Sequence, residues 1–330
     1  MATQPTKFDH RGDVKLRIGR QGTDSAPAVF TVCSRSLARV SPVFERMLYG
    51  GFAEARSNQA NDAENWIVDL PEDKPAPMEV LMIITHGHFD QVPKSLSIRE
   101  LYDLTVLTHY YDATHMLGPW AKTWMATIEK QERESVELRL QMLWISWELG
   151  WKQSFAAICR RMLLESEADA FDVDNNQSMA IQFPPDIIER ISALRIKTIQ
   201  ALLDTFSEMV SNLTVVDEKP RWCHHATWMG PHKCESMILG SLTFCLMRAG
   251  LWPVPDAAEV GESVMAVYSK TTNIIIHDIG TADNSHVDHN ECNPGPFLLE
   301  RVQNIMGQIP SPVTDSHLQY MTDQARKLNS

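Results

Sequence analysis

An α+β first third followed by a mainly α-helical remainder is the fold class this chain predicts. Three observations carry that reading: two-residue hydrophobic alternation in short N-terminal segments, helical spacing of apolar residues past about residue 120, and Ser, Pro or Gly punctuation at the joints. "DVKLRIG" sets Val14, Leu16 and Ile18 against Lys15 and Arg17, the period of a half-buried strand. "AVFTV" (28–32) follows a Gly-Thr-Asp-Ser-Ala-Pro turn and reads as its hairpin partner, and "WIVDL" (66–70) as a third strand.

Helices fill the spaces between. Leu37, Val40, Val43, Phe44, Met47 and Leu48 recur at three-and-four spacing and stop at Gly50-Gly51. Pro77 stands near the start of a helix containing Val80, Leu81, Ile83 and Ile84. Ser97 and Glu100 form a capping-box pair ahead of Leu101, Leu104, Leu107 and Tyr111. Beyond these, "VELRLQMLWISWELGWKQSFAAICRRMLL" predicts one or two helices, and 168–183 reads as a weakly packed linker. Pro184-Pro185 introduces a long helix with Ile187, Ile191, Leu194, Leu202, Phe206 and Leu213 on one face. Another runs over 234–249 and is stopped by Gly250 and Pro253; two more follow at about 297–308 and 315–328.

Composition narrows the function classes. The 330 residues carry 44% hydrophobic and 22% charged side chains, enough for a sizeable core. A net charge of -12, with a pI near 5.4, opposes a direct nucleic-acid surface, since no local Lys/Arg cluster offsets the repulsion from phosphate. Six unevenly spaced cysteines are too few for a disulfide framework. The N-terminus has no apolar signal core, and no segment approaches about 18 uninterrupted apolar residues. The expectation is a protein of the cytoplasm, the nucleus or both, away from membranes. No Gly-x-Ser-x-Gly, Gly-x-x-x-x-Gly-Lys, Gly-x-Gly-x-x-Gly or His-Glu-x-x-His is present, so a non-enzymatic role is expected.

The order "GDVKLRIG", "VFTVCSRSLARVSPVFERML", "FAEA", "WIVDLPE" and "IRELYDLTVLTHYYDA" resembles the BTB/POZ domain, in the form abundant in filamentous fungi. Leu37, Ser41, Pro42 and Phe44 match the family's Leu-x-x-x-Ser-Pro-x-Phe. The resemblance covers residues 8–128 and implies a short mixed sheet flanked by helices. It extends loosely into the helical region 129–330, through "ILGSLTFCLMRAGLWPVP". It implies an interaction module that pairs with a second copy of itself. Alternatively, the chain would be a substrate adaptor of a cullin-type ubiquitin ligase, or a transcription-associated regulator acting through partners. Cys33 and Ser34 depart from the His and basic residue that many members carry, leaving Arg35 as the basic partner of Asp13 in a groove at the dimer contact. Phe52 and Glu54 resemble a cullin-docking hydrophobic-x-Glu motif.

The apolar face from Leu37 to Leu48 is wider than the roughly 100° stripe one helix needs for its own core. It is expected to serve as a homodimer contact, the alternative being a helix wholly internal to one chain. Trp144, Trp147 and Trp151 share a helical face near Trp120 and Trp124, and read as core at the junction of the two regions or as a partner-binding groove.

Two stretches of the second half are rich in metal-ligating types: "RWCHHATWMGPHKCE" and "SHVDHNECN". His289 and Cys292, two residues apart, can reach one ion from a turn, and Cys223 and Cys234 can supply a second pair. Both pairs look like the Cys and His/Cys positions of the fungal group. The expected set is Cys223, Cys234, His289 and Cys292, with His225 as substitute, holding a structural zinc ion. The alternative is buried free cysteines packing as small hydrophobes. His86, His88 and His109 are expected to be ordinary core or surface histidines.

Overall fold

The structure, a computed structural model, describes residues 5–20, 26–55, 66–129, 135–171, 181–215, 222–223, 232–280 and 289–329. It has a small four-stranded sheet and is otherwise mainly helical, in two compact units. The first comprises residues 1–158, 181–184 and 313–330; the second comprises 159–180 and 185–312. The division therefore falls well beyond the expected 128/129 boundary, and the last helix returns to the first unit. No helix among the described residues is long and apolar enough to cross a membrane.

In the first unit, β1 (Thr6–Lys7), β2 (Val14–Ile18) and β3 (Ala28–Val32) precede two short helices, α1 (Ser34–Val40) and α2 (Pro42–Tyr49). β4 (Ile67–Leu70) completes a sheet of order β1-β3-β2-β4. β2 and β3 are antiparallel, with Val14 opposite Val32 and Ile18 opposite Ala28; β4 runs parallel to β2, with Leu16 opposite Val68. Val14, Leu16 and Ile18 are buried and Arg17 is exposed, as the alternation predicts. Arg17 pairs with Asp69, its register neighbour on β4.

The single helix expected across 36–48 is two. Ser41 takes an extended conformation (φ -142°, ψ 116°), the region to which a following proline drives a residue. Its hydroxyl caps α2 by accepting from Phe44 N–H at 3.0 Å and donates to Tyr111 O at 2.6 Å. Phe44 stacks on Tyr111, ring centroids 4.2 Å apart at 8°. Leu37, Phe44 and Leu48 are consequently interior, with no accessible surface in the single chain.

α3 (Pro75–Thr85), α4 (Ile98–Tyr110), α5 (Gly118–Ile128) and α6 (Val136–Glu148) pack on one another or on the elements before them. The Ser97–Glu100 capping box forms as read. His86, just after α3, donates from Nδ1 to Met82 O (2.9 Å) and accepts Cys33 N–H at Nε2 (3.0 Å), the arrangement of a neutral imidazole. Burial depresses its pKa. His88 bonds Phe8 O at 2.8 Å.

A buried carboxylate, Glu148, 1% exposed, lies in this unit. It accepts from Thr114 (2.6 Å), His109 (3.0 Å), Tyr320 (3.0 Å) and Gln324 (3.0 Å). Two of these donors come from the C-terminal helix Asp315–Lys327, which is how residues more than 170 positions away rejoin the unit. Trp147 stacks on Tyr320 at 4.1 Å, and Trp144 lies edge-on to His109 at 5.1 Å. A Cβ at Gly118 or Gly150 would strike that helix's backbone at Leu328 and Met321. Trp124, Trp144 and Trp147 are therefore core of the first unit, while Trp120 and Trp151 are half-buried.

α7 (Lys152–Glu165) leads toward the second unit, which is built around α8 (Ile187–Thr214). α9 (Lys233–Arg248), α10 (Val264–Thr272) and α11 (Gly295–Gly307) all pack on α8; the C-terminal helix is α12. The stripe Ile187, Ile191, Leu202, Phe206 and Leu213 is buried, and Leu194 is half-buried. α10 has no counterpart in the sequence reading, because nine residues with only Val264, Val267 and Thr271 buried give a weak period. Arg195 is 3% exposed and donates from one terminal nitrogen to Val260 O (2.7 Å) and Glu262 O (2.5 Å).

Removing the central carboxylate leaves four donors without their acceptor, so Glu148→Ala is expected to cost about 3 kcal/mol. Chemical denaturation measures that loss. The Glu148 hydrogen bond, opposed by burial, holds the His109 pKa above its usual value. A raised folded-state value means His109 stabilises fully below about pH 6.5, the unfolded value, and loses this contribution as pH rises through the folded one. Between about pH 6 and pH 8 the denaturation midpoint is expected to fall, and less so in His109→Gln. His86 acts with the opposite sign, its contribution fading as pH drops below about 6.5.

Candidate metal centre

Four of the ligand types expected to converge do so. Cys223, Cys234, His289 and Cys292 place one ligand atom each within 4.8 Å of all the others, and all four are buried, between 4% and 6% exposed. Each arrives from a different local structure. Cys223 lies in the segment before α9, and Cys234 in the first turn of α9, where the helix dipole favours a thiolate. His289 and Cys292 open and close a 3-10 turn ahead of α11, so two intervening residues aim both inward. The Asn293 side chain fixes this turn by donating to Ile276 O (3.0 Å) and Asp278 (3.1 Å) and accepting Gly295 N–H (2.9 Å). His289 N–H bonds Gly280 O at 3.3 Å.

The distances suit a tetrahedral ion. His289 Nδ1 lies 3.2 Å from Cys234 Sγ, 3.6 Å from Cys223 Sγ and 4.0 Å from Cys292 Sγ. A tetrahedron with metal–sulfur bonds of about 2.3 Å and metal–nitrogen bonds of about 2.0 Å has sulfur–nitrogen edges of about 3.5 Å, within that range. Burial, reinforced by Cys223 and Cys292, pushes the Cys234 thiol up to about 12, and Cys292 is raised, chiefly by burial. A cation at the centre reverses that preference, because coordinated thiols are deprotonated. This buried Cys3His cluster can hold a metal ion, and its four donors would complete a four-coordinate shell.

Sequence reasoning missed the residues around the donors. Glu235, 4% exposed, accepts Trp222 N–H at 3.1 Å and bonds His232 Nδ1 at 2.6 Å. Trp222 Nε1–H donates to Cys292 O. The carboxylate next to Cys234 thus anchors the backbone next to Cys223, and the indole anchors the backbone at Cys292. An acidic residue beside a candidate ligand was the only signal available. His232 serves Glu235 and is not part of the quartet, while His225, the proposed substitute, lies outside the described residues.

The other expected sites are dispersed. Asp13 accepts from Ser34 N–H (2.8 Å) and Ser34 Oγ–H (2.7 Å), while Arg35 is exposed. Asp13 therefore binds the first residue of α1 within the single chain. Val40, Val43 and Met47 are half-buried, so of the six expected dimer residues only these retain surface. Phe52 is 57% exposed, and Glu54 contributes its carbonyl to Trp66 Nε1–H at 2.8 Å. All six cysteines are free, and burial pushes Cys159, away from the cluster, up to about 12.

No family model, curated protein or solved structure matches this chain.

Substituting one donor leaves three ligands and an opened shell. Cys234→Ser and Cys292→Ser are each expected to lower bound metal from about one ion per chain to a small fraction of that under mild chelator. Elemental analysis of protein purified without chelator checks both.

Proposed function

We propose that the chain is a non-enzymatic protein–protein interaction module that pairs with a second copy through a BTB-like N-terminal region and presents its helical second unit, braced by a structural zinc ion, to partners. The observation that carries the pairing is the outer surface of α1 and α2. There Val40, Val43 and Met47 stay half-buried, and the next residues include Tyr49 (46% exposed) and Phe52 (57% exposed). Apolar surface gathered on one short helical pair gains free energy when a partner removes it from water. The Ser41 joint supports the BTB likeness, since Ser41, Pro42 and Phe44 each do structural work at the positions that suggested it.

Zinc is the assignment the donor set favours, because three thiolates and an imidazole suit a borderline-soft ion and leave no position open for substrate. A second reading, a substrate adaptor of a cullin-type ligase, is favoured by one feature: the exposure of Phe52 just past α2.

Light scattering at micromolar concentration is expected to return twice the 37.4 kDa chain mass. Val43→Glu combined with Met47→Glu would place carboxylates in the contact, cost about 3 kcal/mol or more and weaken pairing about 100-fold. A wild-type monomer defeats the pairing. For the adaptor, Phe52→Ala should reduce recovery of a cullin N-terminal domain at least about tenfold; unchanged recovery, or none from the wild type, removes that reading.

A further inference from the structure

α9 carries large apolar residues on its exposed side as well as on its buried one. Its inner residues Cys234, Ile238, Leu242 and Leu246 pack into the second unit. On the outer side Met237 is 41% exposed, Phe244 53% and Met247 61%; Ile275, in the segment after α10, is 71% exposed. Helices with such a surround are ordinarily covered on both sides. The segment bearing Ile275 is fixed against α9: Cys245 Sγ–H donates to Ile275 O at 3.1 Å, and His277 N–H donates to Ser241 Oγ at 2.8 Å. The exposed residues therefore stand on a built surface. At Gly240 the surface is open, with no atom of another described segment within 4 Å of where a Cβ would be, so a second helix can come close.

Charge says what kind of helix. α9 has one carboxylate, Glu235, and it is buried and engaged by Trp222 and His232. Its cations, Lys233 at the first position and Arg248 at the last, are both exposed. The Arg248 guanidinium lies over the Phe244 ring, 5.8 Å from its centroid, and neither cation has a carboxylate partner among the described residues. Lys270, on the wall of the groove beside Phe244, is already paired with Glu262 at 2.6 Å. An apolar strip bounded by cations is unusual on a chain of net charge -12. A second copy of α9 crossing at Gly240 antiparallel would set Lys233 against Arg248, a repulsive arrangement.

We propose that the outer face of α9 receives an acidic amphipathic helix from a partner protein, its apolar side chains over Gly240 and Phe244 and its carboxylates at Lys233 and Arg248. The 16 residues of α9 offer a track of about 24 Å, four turns of such a helix. This deepens the reading that the second unit presents a surface to partners, but it stands apart from pairing through α1 and α2.

The probe is a labelled 16-residue helical peptide with Leu at i, i+3, i+4 and i+7 spacing and Glu elsewhere. Its counterpart has Lys in place of Glu, and fluorescence polarisation with the full chain reads both. The Glu peptide is expected to bind at least about tenfold tighter than the Lys peptide, with the preference shrinking at high salt. Phe244→Ser should weaken it about tenfold, and Arg248→Glu should reverse the preference. Helical content by circular dichroism and metal per chain show that both variants are folded. Val43→Glu/Met47→Glu, aimed at the α1–α2 contact, should bind the Glu peptide as the wild type does, so failure of pairing and failure of this site are distinguishable. No binding at about 100 μM, equal binding of both peptides, or affinity unchanged in both folded variants overturns the proposal. So does a particle mass that halves in Phe244→Ser, which would make the occupant a second copy.

Discussion

Three sulfur atoms and an imidazole nitrogen gathered within 4.8 Å, away from water, pose a problem that hydrophobic packing does not solve. Thiols are tolerable core residues, but three of them crowded around one histidine form a cluster whose natural complement is a cation. In the second unit α9, α10 and α11 pack on α8, and α10 also packs on α11. Cys223, Cys234 and Cys292 are members of the same hydrophobic core as Leu202, Phe206 and Leu242. The cluster joins the approach to α9 to the approach to α11, two segments that the α8 stripe alone does not bind together.

The first unit solves its joining problem with a carboxylate. Glu148 collects donors from the 3-10 turn Thr114–Leu117, from α4 and from α12. An unpaired buried carboxylate is among the costlier things a core can contain, so these partners are a condition of its being there. The aromatic layer of Trp144, Trp147 and Tyr320 closes over it, and the two glycines at 118 and 150 let the α12 backbone approach closely. Hydrophobic area supplies most of the favourable free energy, but the hydrogen bonds decide which helix sits there.

The joint at Ser41-Pro42 shows how a small local rule redirects a surface. Without the break, six apolar residues on one helix would spread around more of its circumference than the core can use. With it, α1 and α2 turn separately, and Leu37, Phe44 and Leu48 all reach the interior. Val40, Val43 and Met47 are the three that keep part of their surface. The apolar surface left here is thus narrower than periodicity suggests and continues at Tyr49, the last residue of α2, and at Phe52 beyond it.

Local rules settled much of this protein from residues alone. Alternation at Val14, Leu16 and Ile18, the capping pair Ser97 and Glu100, the Pro184-Pro185 start of α8 and the ligand chemistry of Cys223, Cys234, His289 and Cys292 all follow from interactions spanning a few positions, or from side-chain type. Tertiary structure alone decided which apolar face was spare, where the units divide, that α12 joins α4 and α6, and that Met237, Phe244 and Met247 of α9 are exposed. The physical reason is range. A helix period records that a face is apolar without recording what covers it, and nothing near Glu148 in the chain announces donors at Tyr320 and Gln324. Those facts come into being only when distant segments compete for the same core.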